Sequence, residues 1–335
     1  MLLAPTSVLP VGRGFLSPAI YFCLKLVAYF TEVVPMASLR SKFYAAMLRK
    51  LLRGGLLPNG QQGLRLARER MDGGGPLSAL TRAKQPKRTE TINGCYTEWL
   101  GDPQAKTVLL YLHGGGYVMG SPATHRSMVN QLCTYGGFQA LVPDYRLAPE
   151  NPFPAAVEDA EAAYDFLLDK GFSPENILLA GDSAGGGLSM ALMLTLKEKN
   201  KPQPKAVALL SPWVDLMVTG DSHTERADRD PMIDVSRIGE AIDFYRGDTP
   251  ADHPLVSPLY ADLSGLPPMF VQVGTEEVLF NDSTRLVDNA KAAGLSADLE
   301  IWQDMPHVHQ IAYKLVPESR AALKSIAQFF RRQQA

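Results

Sequence analysis

The chain is 335 residues long and 46% hydrophobic, enough to bury a large core, and a single α/β body with insertions is ordinary at this size. Its 33 basic and 35 acidic residues give a formal net charge of -2, which excludes the electrostatic footprint of a nucleic-acid partner or of an anionic membrane read from overall charge. Three scattered cysteines, Cys23, Cys95 and Cys133, form no C-x-x-C pair, so neither a disulfide framework nor a zinc knuckle is expected, and a reducing cytoplasm fits best.

Residues 1–85 read as helical between breaks at Pro35, GGLLPNG and DGGGP, with no strand pattern, and they close on the basic, proline-containing linker RAKQPKR. Within them GFLSPAIYFCLKLVAYF, residues 14–30, carries Pro18 and Lys25 and so lacks an uncharged run near the ~20 residues a membrane span requires. Lys25 also interrupts the apolar region of a signal peptide. The stretch reads as a helix whose broad apolar face packs on something. TETINGCYTEWLG then predicts two short strands around Asn93-Gly94, a strong hairpin pair.

From there the pattern alternates. Apolar strands are expected at TVLLYLHGGG (107–116), ALVPDYRLAPE (140–150), 177–182, KAVALLSPWV (205–214), PPMFVQVG (267–274) and DLEIWQDM (298–305). Helices are expected at 155–170, after residue 187, at about 283–293 and from about Glu318. Continuous apolar strands alternating with helices predict an α/β fold, a mostly parallel sheet covered on both faces, with its site beyond the carboxyl ends of the strands. The Asp-, Arg-, His- and Pro-rich stretch at about 215–255, with a helix near Ile238 to Tyr245, is too long for a plain connection and reads as a lid insertion into a catalytic domain of residues 86–335.

Chemistry concentrates in ILLAGDSAGGG, residues 177–187, where a buried strand runs into glycines with Ser183 between Gly181 and Gly185. A strand-to-helix turn this tight forces its central residue to positive φ, and the flanking glycines remove Cβ atoms that would collide there. The pattern is G-x-S-x-G, a nucleophile elbow. No lysine follows as a phosphate-binding loop requires, and the spacing of neither glycine run fits a dinucleotide fingerprint. A purely structural serine remains the competing reading until partners are found elsewhere in the chain.

A serine hydroxyl needs a base, and a histidine held by a carboxylate is the usual solution. His307 and His309 follow a late strand in EIWQDMPHVHQ, whereas His223 and His253 fall in the insertion. His307, just past a proline that ends the strand, is the better base. The H-x-H spacing could suit a metal, but no third ligand completes it, and His309 reads as a packing residue. The run VQVGTEEVLFND offers Glu276, Glu277 and Asp282 as the carboxylate, and spacing alone leaves the choice open. Asp282 also suits the N-terminal start of the next helix. HGGGY (113–117) after a strand offers bare N–H groups to a developing oxyanion, joined by the N–H of Ala184 at the start of the helix.

HGGGYVMGS, DYRLAPENPFPAA, GDSAGGGLS, LSPWVDL and DMPHVHQ together resemble the hormone-sensitive-lipase branch of α/β-hydrolases, the bacterial family IV carboxylesterases, over about residues 85–333. The resemblance implies an α/β-hydrolase fold with a helical cap, Ser183 as nucleophile, His307 as base, and Gly115, Gly116 and Ala184 as oxyanion donors. Aligning Leu279 with the leucine of the family's Asp-Pro-Leu motif places Glu277, a glutamate where aspartate is usual, at the acid position. It further implies a serine carboxylesterase for short-chain acyl esters with no metal or cofactor, and it allows a homodimer through the last sheet edge. An amide or lactone hydrolase with the same triad, or a ligand-binding receptor on the same fold, are the alternatives.

Overall fold

In the computed structural model the described residues are 38–51, 60–69, 71 and 88–334. The apolar stretch 14–30 lies outside them. Two helices come first, α1 (Leu39–Leu51) and α2 (Gly60–Glu69), followed by the strands β1 (Arg88–Ile92) and β2 (Cys95–Gly101). These two pair antiparallel through a turn whose residues Asn93 and Gly94 hold φ of 50° and 81°, the left-handed geometry that Asn-Gly tolerates.

The chain then alternates through β3 (Val108–Leu112), α3 (Pro122–Gly136), β4 (Gln139–Pro143), α4 (Ala155–Asp169), β5 (Ile177–Asp182), α5 (Ala184–Glu198), β6 (Ala206–Leu210), α6 (Val235–Arg246), β7 (Met269–Gly274), α7 (Phe280–Ala292), β8 (Ala297–Trp302) and α8 (Pro317–Gln334). The strands form one eight-stranded sheet in the order β1-β2-β4-β3-β5-β6-β7-β8, antiparallel at β1/β2 and β2/β4 and parallel elsewhere.

The period of two along each strand sorts the core into two layers. Val108, Leu110, Leu112, Ile177, Leu179, Val207 and Leu209 pack with the buried faces of α4, α5 and α7. Leu109, Tyr111, Leu178, Ala180, Ala206 and Ala208 pack with Met128, Val129 and Leu132 of α3 and Leu323, Ile326 and Phe330 of α8. Both faces are therefore dry, as continuous apolar strands require.

The strands stop earlier than their apolar runs, because β4 ends at Pro143 and β6 at Leu210, where the chain leaves the sheet for loops at the carboxyl edge. Helix α3 is an element the sequence pattern did not announce. Thr, His, Ser and Asn dilute its apolar residues, yet Met128, Val129, Leu132 and Cys133 recur at helical spacing on one buried face. Pro122 opens it, the Thr124 hydroxyl accepts from the N–H of Ser121 at 3.0 Å, and Gly137 at φ 74° closes it.

The described helices ahead of the sheet pack onto the sheet's carboxyl-edge loops. Tyr44 and Leu48 of α1 pack with Trp302, Met305 and Val316. Arg68 of α2 donates to the carbonyls of Val118 (2.6 Å) and Ala148 (2.7 Å) and pairs with Glu150. The Gly60 N–H donates to Glu240 at 3.0 Å, joining α2 to α6. Among the described residues no helix is long and apolar enough to cross a membrane.

Candidate active site

Ser183 ends β5 and opens α5 with φ 52° and ψ -122°, a region costly for any residue with a Cβ. Backbone bonds hold it there: its N–H donates to the carbonyl of Leu210, and its own carbonyl accepts from Gly186 and Trp213, each at 2.9 Å. The flanking glycines are required by packing. A Cβ on Gly181 would lie 2.2 Å from the carbonyl oxygen of Gly185, and one on Gly185 only 2.0 Å from that of Leu112.

Beside the serine, fully buried Asp182 wires the glycine loop to the elbow. Its Oδ1 accepts from the Tyr111 hydroxyl at 2.7 Å and from the Gly114 N–H at 3.1 Å, while its Oδ2 meets Nε2 of His125 at 3.2 Å. Burial opposes the charged form of Asp182, but His125, Tyr111 and their hydrogen bonds outweigh it and hold the carboxyl below its usual range. Burial likewise opposes the His125 imidazolium, and the charge of Asp182 overrides it, so that imidazole is raised above the ordinary value. His113, stacked on Tyr145 at 4.2 Å, is pushed down to about 3 by burial and the neighbouring His125, so it stays neutral. The Tyr145 hydroxyl donates to the carbonyl of His113 at 2.6 Å. None of these supports was read from the sequence. The signal available was the pairing of GDS with HGGGY, since an aspartate beside a nucleophile and a histidine beside a glycine loop both end up buried.

In the glycine loop, Gly115 takes φ 128° and Gly116 φ 64°, and the Gly115 carbonyl accepts from the N–H groups of Val118 and Met119. A Cβ on Gly115 would sit 2.0 Å from the carbonyl oxygen of Met119. Among the described residues, no backbone hydrogen bond formed outside helices and strands uses the N–H of Gly115, Gly116 or Ala184.

Of the three candidate carboxylates, the structure brings Glu277 to His307. Its Oε2 lies 2.8 Å from Nδ1, and both side chains are buried. Burial disfavours the imidazolium of His307, but the hydrogen bond and charge of Glu277, with Asp230 and Asp182 behind it, more than compensate, and the pKa is raised. Glu276 instead pairs with Arg229 and Arg49. Asp282 does not cap its own helix: its Oδ2 accepts from the N–H groups of Val214 and Asp215, and its Oδ1 meets His223 at 3.2 Å. His309 turns away from His307 toward Ser319 of α8. Burial drives its pKa down to about 3.

Ser211, which the sequence did not single out, joins these parts. It follows β6 at φ 48°, fully buried, and its hydroxyl donates to Oε1 of Glu277 at 2.8 Å while accepting from the N–H of Val308 at 3.4 Å. Because Leu210 holds Ser183, the run Leu210-Ser211 links the serine turn, the acid loop and the histidine loop.

Residues 109–311 match the α/β-hydrolase fold family. An acetyl-hydrolase of Streptomyces hygroscopicus is 42% identical over 247 residues, covering 73% of this chain and 83% of that protein. An esterase of Acinetobacter venetianus is 36% identical over 247 residues, covering 73% and 80%. Among solved structures, an esterase from the bacterial hormone-sensitive lipase family superposes with a TM-score of 0.81 at 41% identity, over 90% of this chain and 100% of the other. The esterase EstE5, in crystals soaked with p-nitrophenyl butyrate, does so with a TM-score of 0.80 at 40% identity, over 89% and 99%. With this fold, this order of motifs and these relatives, the chain belongs to the α/β-hydrolase family, in the branch of the bacterial hormone-sensitive-lipase esterases.

Proposed function

We propose that this carboxylic ester hydrolase cleaves short-chain acyl esters through an acyl-Ser183 intermediate. The observation that carries the reading is a serine strained onto a strand-to-helix turn and tied through Leu210-Ser211 to the loop of a histidine whose Nδ1 is held 2.8 Å from a buried carboxylate. With Nδ1 engaged by Glu277, Nε2 is left to take the Ser183 proton as Oγ attacks the ester carbonyl carbon. The tetrahedral oxyanion is received by the N–H groups of Gly115, Gly116 and Ala184, each such donor being worth on the order of 3 kcal/mol. Collapse expels the alcohol, which leaves with the proton from His307. Water, deprotonated by the same imidazole, then attacks the acyl-serine, and the carboxylic acid departs as Ser183 regains its proton.

The short-chain preference is supported by the Streptomyces relative being an acetyl-hydrolase and by a butyrate ester having been soaked into the EstE5 crystals. Beside the glycine loop, Tyr117 stacks on Tyr245 of α6 at 3.6 Å and Phe153 meets that ring edge-on, packing α6 against the loop. In this reading the helices ahead of the sheet and the 215–255 insertion form the cap. The link from Gly60 to Glu240 and the grip of Arg68 on Val118 support that role. A series of p-nitrophenyl esters tests it: kcat/KM should be greatest between acetyl and hexanoyl and fall for longer chains. A profile that climbs steadily to long acyl chains would reject the short-chain reading, and an organophosphate adduct on any residue but Ser183 would reject the mechanism.

A further inference from the structure

We infer that Ser211 is a positioning residue of the active site, fixing Glu277 and the His307 loop in one register through a single hydroxyl. The inference deepens the triad reading above and rests on it. Glutamate reaches the imidazole on one more rotatable bond than aspartate would, so its carboxylate needs a second anchor to present Oε2 to Nδ1 in one orientation. Two groups hold the opposite oxygen, Oε1: the N–H of Gly274, which belongs to the strand end on which Glu277 is carried, and the hydroxyl of Ser211, which comes from the neighbouring strand. A Ser hydroxyl has one proton and two lone pairs. Here the proton goes to Glu277 and a lone pair receives the N–H of Val308, the residue directly after the base.

The backbone of Ser211 tells the same story. It sits at φ 48°, where a non-glycine residue is strained, and its N–H is tied to the carbonyl of Gln272 on β7 at 2.7 Å. Glycine would relieve that strain and asparagine would tolerate it better. Serine is unfavourable for the conformation alone, and what it adds is the hydroxyl between the acid and the base loop.

The test uses the full-length chain with Ser211→Ala and Ser211→Gly, both of which remove the hydroxyl while glycine also removes the strain. Turnover of p-nitrophenyl acetate is measured against pH and referred to sites titrated by an organophosphate, so that misfolded protein is not counted. Both variants should lose kcat on the order of ten- to a hundred-fold, with KM within about two-fold, as expected of a residue acting through a catalytic one. The acid limb of kcat/KM should move to higher pH in both, because Glu277 with one donor fewer holds the imidazolium proton more tightly, while Asp230 and Asp182, the other charges acting on His307, are untouched. Ser211→Cys, which keeps a weak donor, should fall between, and it supplies the measurement if the smaller side chains fold poorly. A glycine variant at wild-type kcat, or an acid limb that does not move, would overturn the inference and leave Ser211 a backbone residue only. Ser183→Ala in the same assay separates the two claims. If it stays active, the triad reading itself has failed; if it is silent while the Ser211 variants run at wild-type rate, only the role of Ser211 has.

Discussion

Ser183 is an ordinary alcohol until its surroundings change it, and those surroundings set what each substitution should do. Ser183→Ala should abolish ester turnover with the fold intact, since the turn loses one oxygen and no backbone bond; circular dichroism and a p-nitrophenyl acetate assay check both halves. Glu277→Gln should cost kcat by up to ~10⁴, the scale for a triad acid that fixes the imidazole tautomer and stabilises the imidazolium. The neighbouring acids should behave differently. Glu276→Gln removes an ion pair with arginines that are about half exposed, a change worth ~1 kcal/mol or less and silent in kcat. Asp282→Asn disturbs a buried network with His223 and should lower Tm more than kcat.

His307 adds a pH dependence with opposite signs for rate and stability. In the proposed mechanism the neutral imidazole is the base, and its pKa is raised, so kcat/KM should fall on acidification from a midpoint above the ordinary ~6.5 of histidine. The same raised pKa means the charged His307–Glu277 pair favours the folded state below the unfolded value, a contribution lost as pH rises through the folded pKa. A pH–rate profile whose acid midpoint lies below 6.5 would contradict this ordering. At this scale the sequence disclosed a good deal. Ser183 and His307 stand out by motif and position, but the choice among Glu276, Glu277 and Asp282 needed a family alignment, because three carboxylates within seven positions differ only in where a loop turns them. Ser211 could not be weighed at all, and Asp182 only as the residue beside the nucleophile, since a hydroxyl or carboxylate announces its partner only after the strands are set side by side.

Among the elements, the turn from β5 into α5 is the least forgiving. Gly185→Ala would place a methyl group 2.0 Å from the carbonyl oxygen of Leu112 and 2.5 Å from that of His113, both backbone atoms that cannot swing aside. The elbow or the glycine loop must then move, so activity should disappear and Tm should drop sharply. Gly239, on the exposed side of α6 with nothing within 4 Å of its would-be Cβ, supplies the contrast. Gly239→Ala should stabilise by about 0.4–1 kcal/mol with unchanged turnover, and a thermal melt of the two variants side by side distinguishes a steric glycine from a merely flexible one. The elements themselves were mostly legible, because buried parallel strands write themselves as apolar runs bounded by glycine and proline. Where legibility failed, as at α3, the helix is set by a proline start, a hydroxyl cap and a left-handed glycine end more than by its diluted apolar face.

At the scale of the molecule, the site is gripped from outside the sheet. Arg68 of α2 holds two loop carbonyls and Glu150, so that a helix distant in sequence steadies the loop following HGGGY. Arg68→Ala should therefore raise KM and flatten the acyl-chain profile, with kcat/KM falling by roughly ten-fold, while Ser183 keeps its reactivity toward a small organophosphate. Equal losses in both assays would place the effect on the triad instead. No periodicity in the sequence points to this grip, because it depends on where α2 docks.

The sheet order carries one more consequence, for how the molecule acquires activity. The glycine loop follows β3, Ser183 β5, Ser211 β6, Glu277 β7 and His307 β8, so the groups of the proposed mechanism stretch from residue 113 to residue 307 along the chain. Parallel neighbours can meet only after long chain segments have closed, which makes such pairings late and slow steps of folding. In the proposed mechanism a molecule with β3 and β5 in place but without β8 would have the serine and no base. Hydrolysis in the proposed mechanism therefore requires all five strands to be in place, and in refolding or heat-recovery experiments the returning ester turnover should count only chains that have completed their fold.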